Sequence, residues 1–257
     1  MVAGSYVISC KPDGYILWGS TDAPFIRVPH MMKLKFDPIK ETTPIIFYGI
    51  FTHFVVVPAD SQFKTLRDML TFAKQNPEKL TFGNPGFGTV PHLTMAGMAL
   101  ETGLKFSHIP FAGEPKEIAA LLGGHLMAAG IAIESCIAQV KAGKLRALGI
   151  LQGDERLSAF PEIPTLKEVA KDFGMKTSVI YPGLMMSGPK GLAEPIVKKL
   201  ATAFDTSRKS ASFQKYARET YIFQDKMPLT GQALQNHLNN GYKEIGDLIQ
   251  NLGIEKK

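Results

Sequence analysis

Short apolar runs alternate along this chain with amphipathic segments, and that alternation restricts the fold more than any other feature. The runs are too short for helices and rich in β-branched residues, so they predict β-strands. We expect strands at 15–20, 43–47, 54–57, 80–84, 106–110, 128–133, 145–151 and 177–186. Strands that alternate with helices are typical of an α/β fold with mainly parallel sheets flanked by helices.

Capping residues mark several of the intervening helices. Thr65 lies three residues before Asp68, and Thr165 lies three before Glu168, a spacing that predicts a capping box at a helix start. A proline at the start of segment 195–204 favours a further helix there. The sequence after it is mostly helical, so we expect this tail to pack back onto an earlier part of the chain.

The composition excludes several classes of protein. The 257 residues are 45% hydrophobic and 20% charged, which is ordinary for a globular chain, and no apolar run reaches membrane-spanning length. The net charge of +6 is spread along the chain, whereas nucleic-acid binding needs a clustered basic stripe, so we expect no nucleic-acid partner. The two cysteines and six histidines form no ligand motif, and no GxSxG, SxxK or paired-carboxylate pattern occurs. We expect no metal, no cofactor and no catalysis.

The segment NPGFGTVPH (84–92) is the most informative for function, because it follows a predicted strand and opens a predicted helix. Gly86 and Gly88 allow backbone N–H groups to turn toward a ligand, Thr89 adds a hydroxyl, and the helix N-terminus adds a positive dipole end. Together these predict an anion site for a carboxylate or a phosphate. A plain tight connection is the alternative, because the segment matches neither a Walker loop nor a complete GxGxxG.

Two further segments lie between a predicted strand and a predicted helix. They are PFAG (110–113) and the neighbourhood of Ser135. Ligands of open parallel sheets bind beyond the carboxyl ends of the strands, so these segments and the glycine-rich turn are expected to point the same way. The alternatives are a Pro/Gly turn for the first and a helix cap for Ser135. His92 is either a donor to the anion or a structural histidine.

The motifs also occur together, in an order and spacing that resemble the tripartite tricarboxylate transporter solute-binding proteins, or Bug family. The matching segments are KPDGY (11–15), FDP (36–38), VVVP (55–58), KLTFGNPGFGTVPHL (79–93), HIPFAG (108–113), ALLGGH (120–125), VKAGKLRALGI (140–150) and RLSAFPEIPTLKE (156–168). The resemblance implies a two-lobed type II periplasmic-binding-protein fold with the ligand in the cleft. Lobe 1 would comprise residues 1–52 and 184–257, and lobe 2 residues 53–183.

The resemblance also implies a function and a set of contacts. The expected ligand is a small organic carboxylate, captured by a monomer and passed to membrane transporter subunits. The residues expected at the ligand are Gly86, Phe87, Gly88, Thr89, Val90, His92, Pro110, Phe111, Ala112, Gly113, Ser135, Thr21, Asp22 and Tyr181. The family's Pro-Tyr-Lys-Gly loop matches 110–113, where Phe111 and Ala112 remove a hydroxyl and a cation. Phe87, Phe111 and Tyr181 would suit an aromatic or long-chain acid, although core packing explains them equally well.

Two departures from the family pattern affect the expected ligand and location. Ile131 stands where many members have an aspartate that pairs with a ligand amine, so we expect no amino-acid ligand. The match to the family begins at Lys11, so we expect this chain to lack the leader and the first strand–helix unit with which family members begin. The resemblance implies the periplasm, whereas the first residues as they stand suggest the cytoplasm. A cytosolic ligand sensor of the same fold, and a small α/β transferase with a phosphate-binding loop, are the alternative functions.

Overall fold

The structure is a computed structural model that describes residues 2–176, 182–224 and 227–256. The strands are β1 Trp18–Thr21, β2 Thr42–Ile50, β3 His53–Pro58, β4 Thr81–Asn84, β5 Ser107–Pro110, β6 Ala128–Ala132, β7 Leu145–Ile150 and β8 Gly183–Pro189. The helices are α1 Val2–Ile8, α2 Ala23–Ile26, α3 Val28–Met31, α4 Leu66–Gln75, α5 Val90–Thr102, α6 Glu114–Leu122, α7 Ile133–Lys141, α8 Leu166–Ala170, α9 Glu194–Arg208, α10 Ala211–Glu219 and α11 Gly231–Asn251.

The chain divides into two compact units. Unit 1 is Met1–Phe51 with Pro182–Lys257, and unit 2 is Thr52–Tyr181. In the part of unit 1 that the structure describes, β8 lies between β1 and β2 and is antiparallel to both. Helices of the C-terminal tail cover this sheet: α9 packs on β2, and α11 contacts β2 and α2. The apolar face of α9 buries Ile45 and Ile46 of β2.

Unit 2 contains the larger sheet, with strand order β5–β4–β6–β3–β7. Strand β4 is parallel to β5 and to β6, while β3 is antiparallel to β6 and to β7. Four strands of this described sheet therefore run in one direction, and β3 opposes them. The mixed α/β class and the mostly parallel sheet flanked by helices are confirmed, although the sheet of unit 1 is antiparallel throughout its described residues.

Helices α4, α5 and α8 bury their apolar faces in the core of unit 2. That core is formed by Val55, Met69, Leu70, Phe82, Met95, Met98, Leu148 and Leu166, with further apolar neighbours. The predicted capping box of α4 is present: the Thr65 side chain accepts the Asp68 N–H, and the Asp68 carboxylate accepts the Thr65 N–H. At the start of α8 the Thr165 side chain accepts the Glu168 N–H, and the Glu168 carboxylate also accepts hydrogen bonds from Arg156.

Several predicted boundaries differ from the structure. Strand β6 ends at Ala132 and α7 begins at Ile133, so Ala132 is the N-cap and Ser135 lies inside the first turn. Ser135 is therefore not a helix cap. The predicted strand included Ile133, but Ile133 is the first residue of α7. The last predicted strand begins in 177–181, which lie outside the described residues. Helix α10 was not predicted, and within the described ranges no helix is long and apolar enough to cross a membrane.

A glycine of β6 sets how closely α5 approaches the sheet. A Cβ atom at Gly130 would lie 2.7 Å from Cβ of Pro91 and 2.8 Å from Cδ1 of Leu151, well inside van der Waals contact. We predict that Gly130→Ala lowers the free energy of unfolding by about 1–3 kcal/mol, because overpacking pushes α5 away from the strand. Thermal melting followed by circular dichroism would measure the loss.

Gly19→Ala is the control, because a Cβ there meets only the flexible side chain of Met186, at 3.3 Å from its sulfur. Equal melting temperatures for Gly130→Ala and the unsubstituted chain would show that α5 does not depend on this close approach.

Candidate functional site

The candidate site lies at the edge of the unit 2 sheet where β4 and β5 end. The two strands are parallel and in register, with Asn84 opposite Pro110. The N–H of Phe111 donates to the carbonyl oxygen of Asn84 at 2.9 Å, so the pairing continues past the strand ends. The glycine-rich turn after β4 and the loop after β5 are therefore neighbours, as the sequence predicts for carboxyl ends of parallel strands.

Internal hydrogen bonds hold the glycine-rich turn in shape. The Gly86 N–H donates to Asn84 Oδ1 at 3.2 Å, the Gly88 N–H donates to His92 Nδ1 at 3.2 Å, and the Thr89 hydroxyl donates to the Gly86 carbonyl at 2.7 Å. Both glycines have positive φ, 148° and 73°, which residues with a side chain rarely adopt. These two N–H groups support the turn in this structure, whereas the sequence analysis expected them to face the ligand.

The donors left for a ligand come from the rest of the turn and from the start of α5. The Phe87 N–H donates to no acceptor among the described residues. Helix α5 begins at Val90 with Thr89 as its N-cap, and Pro91 contributes no N–H. The N–H groups of Val90 and His92 lie in the first turn, where no intrahelical carbonyl reaches them. The turn thus presents N–H groups and the positive end of a helix of 13 residues.

His92 is a neutral, largely buried part of the turn. Its side chain is 8% exposed, and Nδ1 accepts the Gly88 N–H, so the ring proton lies on Nε2. Burial, reinforced by His108, lowers the His92 pKa to about 4. Its ring contacts Phe87 at a centroid distance of 4.7 Å and His108 at 5.3 Å. A histidine that stays neutral at pH 7 can donate one hydrogen bond but supplies no positive charge to an anion.

Polar atoms without partners lie beneath this edge. Asn84 is fully buried, and its Nδ2 has no acceptor among the described residues. Thr94 Oγ1 and His108 Nδ1 are likewise buried atoms without a hydrogen-bond partner among the described residues. Burial also lowers the pKa of His108. Because each buried unpaired group costs free energy, an acceptor supplied near Asn84 would stabilise the edge. The sequence analysis missed Asn84, although its place at the end of a strand before Pro-Gly was a usable signal.

The second loop carries apolar side chains at the same edge. Pro110 and Ala112 are exposed and Phe111 is half-buried. Gly113 has φ 97° and is the N-cap of α6. A Cβ at Gly86 would lie 3.8 Å from the carbonyl oxygen of Phe111, so the loop lies against the glycine-rich turn. The structure thereby brings together residues 86–92 and 110–113 of the predicted set.

Three glutamates lie close to this edge, and the sequence analysis did not single them out. Glu114 Oε1 accepts the Ala132 N–H at 2.9 Å, which ties the start of α6 to the end of β6. Glu134 lies at the start of α7; the residue as a whole is exposed, but partial desolvation of its carboxyl group, and then the charge of Glu114, raise its pKa. Glu117 is fully buried one turn after Glu114. The spacing of Glu114 and Glu117 on one helix was the available signal.

Glu117 is an acid enclosed by the core. Neither carboxyl oxygen has a hydrogen-bond partner among the described residues. Burial, and then the charge of Glu114, raise the Glu117 pKa to about 8; the backbone N–H of Gly130 opposes the rise without reaching hydrogen-bond geometry. The same surroundings raise the pKa of the Cys136 thiol to about 12, so that thiol is unreactive.

Three other residues that the sequence analysis named belong to unit 2, namely Ser135, Ile131 and Tyr181. Ser135 is half-buried in the first turn of α7, beside Glu134. Ile131 is fully buried in β6 and pairs with Phe54 of β3. Tyr181 lies outside the described residues. No group of three or more His, Cys, Asp or Glu side chains in the described part of the chain has the arrangement of a metal site.

Thr21 and Asp22 belong to unit 1. Thr21 ends β1 opposite Leu184, and its side chain is half-buried. Asp22 is only 1% exposed, and its Oδ2 lies 3.8 Å from His237 Nε2. The Arg27 guanidinium is a positive neighbour of this carboxylate. Asp22, which the resemblance places at the ligand, is thus a buried carboxylate with a cation beside it inside unit 1.

The fold is that of an α/β solute-binding protein. In the crystal structure of a TctC solute binding protein from Polaromonas, found without ligand, the same fold covers 96% of this chain and 81% of that chain, with a TM-score of 0.80 and 27% identity. The chain belongs to the tripartite tricarboxylate transporter receptor family, whose model matches residues 1–254. It is thus a member of a family of solute-binding receptors rather than of enzymes.

Two other proteins extend the comparison. The UPF0065 protein in the gbd 5' region of Cupriavidus necator is 37% identical over 252 residues, covering 96% of this chain and 73% of that protein. An R. palustris protein solved with adipate has the same fold, with a TM-score of 0.79 and 20% identity over 100% of this chain and 84% of that one.

Glu117 makes stability depend on pH in a direction that can be checked. The unfolded state releases this proton near the ordinary glutamate pKa of 4.5, whereas the folded state holds it to about 8. The folded state therefore binds more protons between these values, and stability falls as pH rises through that range. We predict that, when the pH is raised from 5 to 8, the free energy of unfolding of Glu117→Gln increases relative to that of the unsubstituted chain by on the order of 3 kcal/mol.

Thermal melting at both pH values would measure this gain, with Glu162→Gln as the control, because Glu162 is an exposed glutamate of the same unit. An equal shift in melting temperature for Glu117→Gln at pH 5 and pH 8 would show that Glu117 is not held protonated.

Proposed function

We propose that this chain binds a small organic carboxylate at the end of β4 and delivers it to a tripartite tricarboxylate transporter in the membrane. The glycine-rich turn is the observation that carries the proposal, because it presents N–H groups and a helix N-terminus at the carboxyl edge of a mostly parallel sheet. Charge-assisted hydrogen bonds from such groups hold carboxylates without a cationic side chain. The R. palustris neighbour solved with adipate, a dicarboxylate, supports the same ligand chemistry.

The proposal includes the remaining features that the family resemblance implies. Units 1 and 2 would be the two lobes of the binding protein, and Thr21 with the residues that follow it would be the contribution of unit 1. The receptor would work in the periplasm as a monomer and would release its ligand unchanged. Membership of a receptor family supports the absence of catalysis over the transferase hypothesis, and no contact in the structure favours a cytosolic sensor.

A charge placed in the turn tests the proposed carboxylate site. Thr89→Asp keeps a good N-cap residue, so α5 is expected to remain intact, but it adds a negative charge beside the N–H groups that would hold the ligand. We predict that it weakens carboxylate binding on the order of 100-fold, because like charges at a binding site cost several kcal/mol. Calorimetric titration with a panel of mono-, di- and tricarboxylates, adipate included, would measure the loss.

Ser210→Asp is the matched control, since Ser210 caps α10 in unit 1 and its side chain accepts the Phe213 N–H. It should leave binding unchanged. The proposal fails if no carboxylate of the panel binds the unsubstituted chain, or if Thr89→Asp binds carboxylates as tightly as the control does.

A further inference from the structure

We propose that the carboxylate bound by this chain carries one negative charge and an apolar body, about the size of a phenyl ring or a six-carbon chain, and that Phe87 selects it. This inference rests on the proposed function and deepens it by naming the class of ligand. It is carried by the exposure of Phe87 in the turn, by the apolar loop beside it, and by the charges around the edge.

Phe87 is an aromatic side chain that the fold leaves in contact with solvent at the candidate site. It is 58% exposed, although phenylalanine is usually buried. It lies between Gly86 and Gly88, in the turn that would hold the carboxylate. Core packing, the alternative that the sequence left open, therefore does not explain Phe87. Its own N–H is one of the donors left for a ligand, so a carboxylate bound there would bring the rest of the ligand beside the ring.

The ring of Phe87 has a rigid support. One side contacts the His92 ring at a centroid distance of 4.7 Å, and His92 in turn contacts His108 at 5.3 Å. His92 is fixed by the hydrogen bond from the Gly88 N–H. A supported ring loses little conformational freedom when a ligand covers it, so covering it contributes most of its apolar area to binding.

The neighbouring loop adds apolar surface where a second anionic group would need donors. Pro110 and Ala112 are exposed there, Phe111 is half-buried, and the backbone carbonyl of Phe111 lies beside Gly86. None of these side chains donates a hydrogen bond. The segments 84–92, 110–114 and 132–136 also contain no lysine or arginine. A carboxylate held in the glycine-rich turn would thus extend over the apolar side chains of the loop 110–112.

The charged side chains of this edge repel a second carboxylate. Glu114 is held at the end of β6 by its bond with the Ala132 N–H, and Glu134 lies two residues after Ala132, at the start of α7. The two acids interact, since Glu114 is one cause of the raised pKa of Glu134. His92 does not offset them, because its pKa of about 4 leaves it neutral. A dianion would place its second charge near these acids, and Lys116 in the first turn of α6 is the nearest cation along the chain.

Hexanoate and adipate form a matched pair for the test, because both have six carbons and only adipate has a second carboxylate. Calorimetric titration of the full chain with hexanoate, benzoate and adipate should give dissociation constants for hexanoate and benzoate at least ~10-fold below that of adipate, a difference of about 1.4 kcal/mol. Adipate bound as tightly as hexanoate, or more tightly, would overturn the inference and leave the proposed function standing.

Substitutions at Phe87 test its role in selection. Phe87→Ala should weaken hexanoate and benzoate binding by about 10-fold, and Phe87→Leu, which keeps an apolar side chain, should stay within about 3-fold. Leu100→Ala is the control for loss of an exposed apolar residue, since Leu100 is 51% exposed on the same helix as Val90 and should not affect binding. Unchanged hexanoate affinity in Phe87→Ala, with an unchanged melting temperature, would refute selection by Phe87.

Glu134→Gln tests the part played by charge. It should tighten adipate binding by about 3-fold and leave hexanoate unchanged, because only the second carboxylate feels Glu134. A dicarboxylate or tricarboxylate as the tightest ligand of the panel, with no binding of hexanoate or benzoate, would disprove the single-charge inference alone. The absence of binding by every carboxylate would disprove the inference and the proposed function together.

Discussion

The parallel register of β4 with its neighbours is the constraint on which the rest of the candidate site depends. Because Asn84 lies opposite Pro110, the segments that follow both strands leave the sheet at one edge and in one direction. The bond from the Phe111 N–H to the Asn84 carbonyl fixes their separation, and the close approach of α5 over Gly130 fixes the helix that follows the turn. A shift of register would separate these segments without changing any residue in them.

Much of the fold follows from local sequence signals. Strand positions in unit 2 were predictable, because β-branched runs between glycines and prolines leave little choice, and Thr65 with Asp68 fixed the start of α4. The limits of α7 were not predictable, because Ile133 suits a buried strand as well as a helix. The antiparallel sheet of unit 1 depends on β8, which follows β2 only after the whole of unit 2, so local patterns carry no information about that pairing.

The candidate site was predictable in its location but not in its hydrogen bonding. The sequence indicated a glycine-rich turn at a helix N-terminus, yet it could not show that Gly86 and Gly88 use their N–H groups on Asn84 and His92. The partners in these bonds are at most four residues apart, but whether the bonds form depends on the orientation of the side chains. The residue types alone do not determine that orientation. Asp22 shows the same limit in unit 1, because its partner His237 comes from a distant part of the chain.

The charge of this edge depends on burial as much as on composition. Counted from the sequence, the edge has three glutamates and a histidine near its ordinary pKa. Burial raises the pKa of Glu117 to about 8 and lowers that of His92 to about 4, which leaves Glu117 protonated and His92 neutral at pH 7 beside the acids Glu114 and Glu134. Against them stands the positive end of α5, equivalent to roughly half a unit charge. That dipole and a few N–H groups can hold one carboxylate in the turn, and the adjacent surface of Phe87 and the PFAG loop favours an apolar remainder.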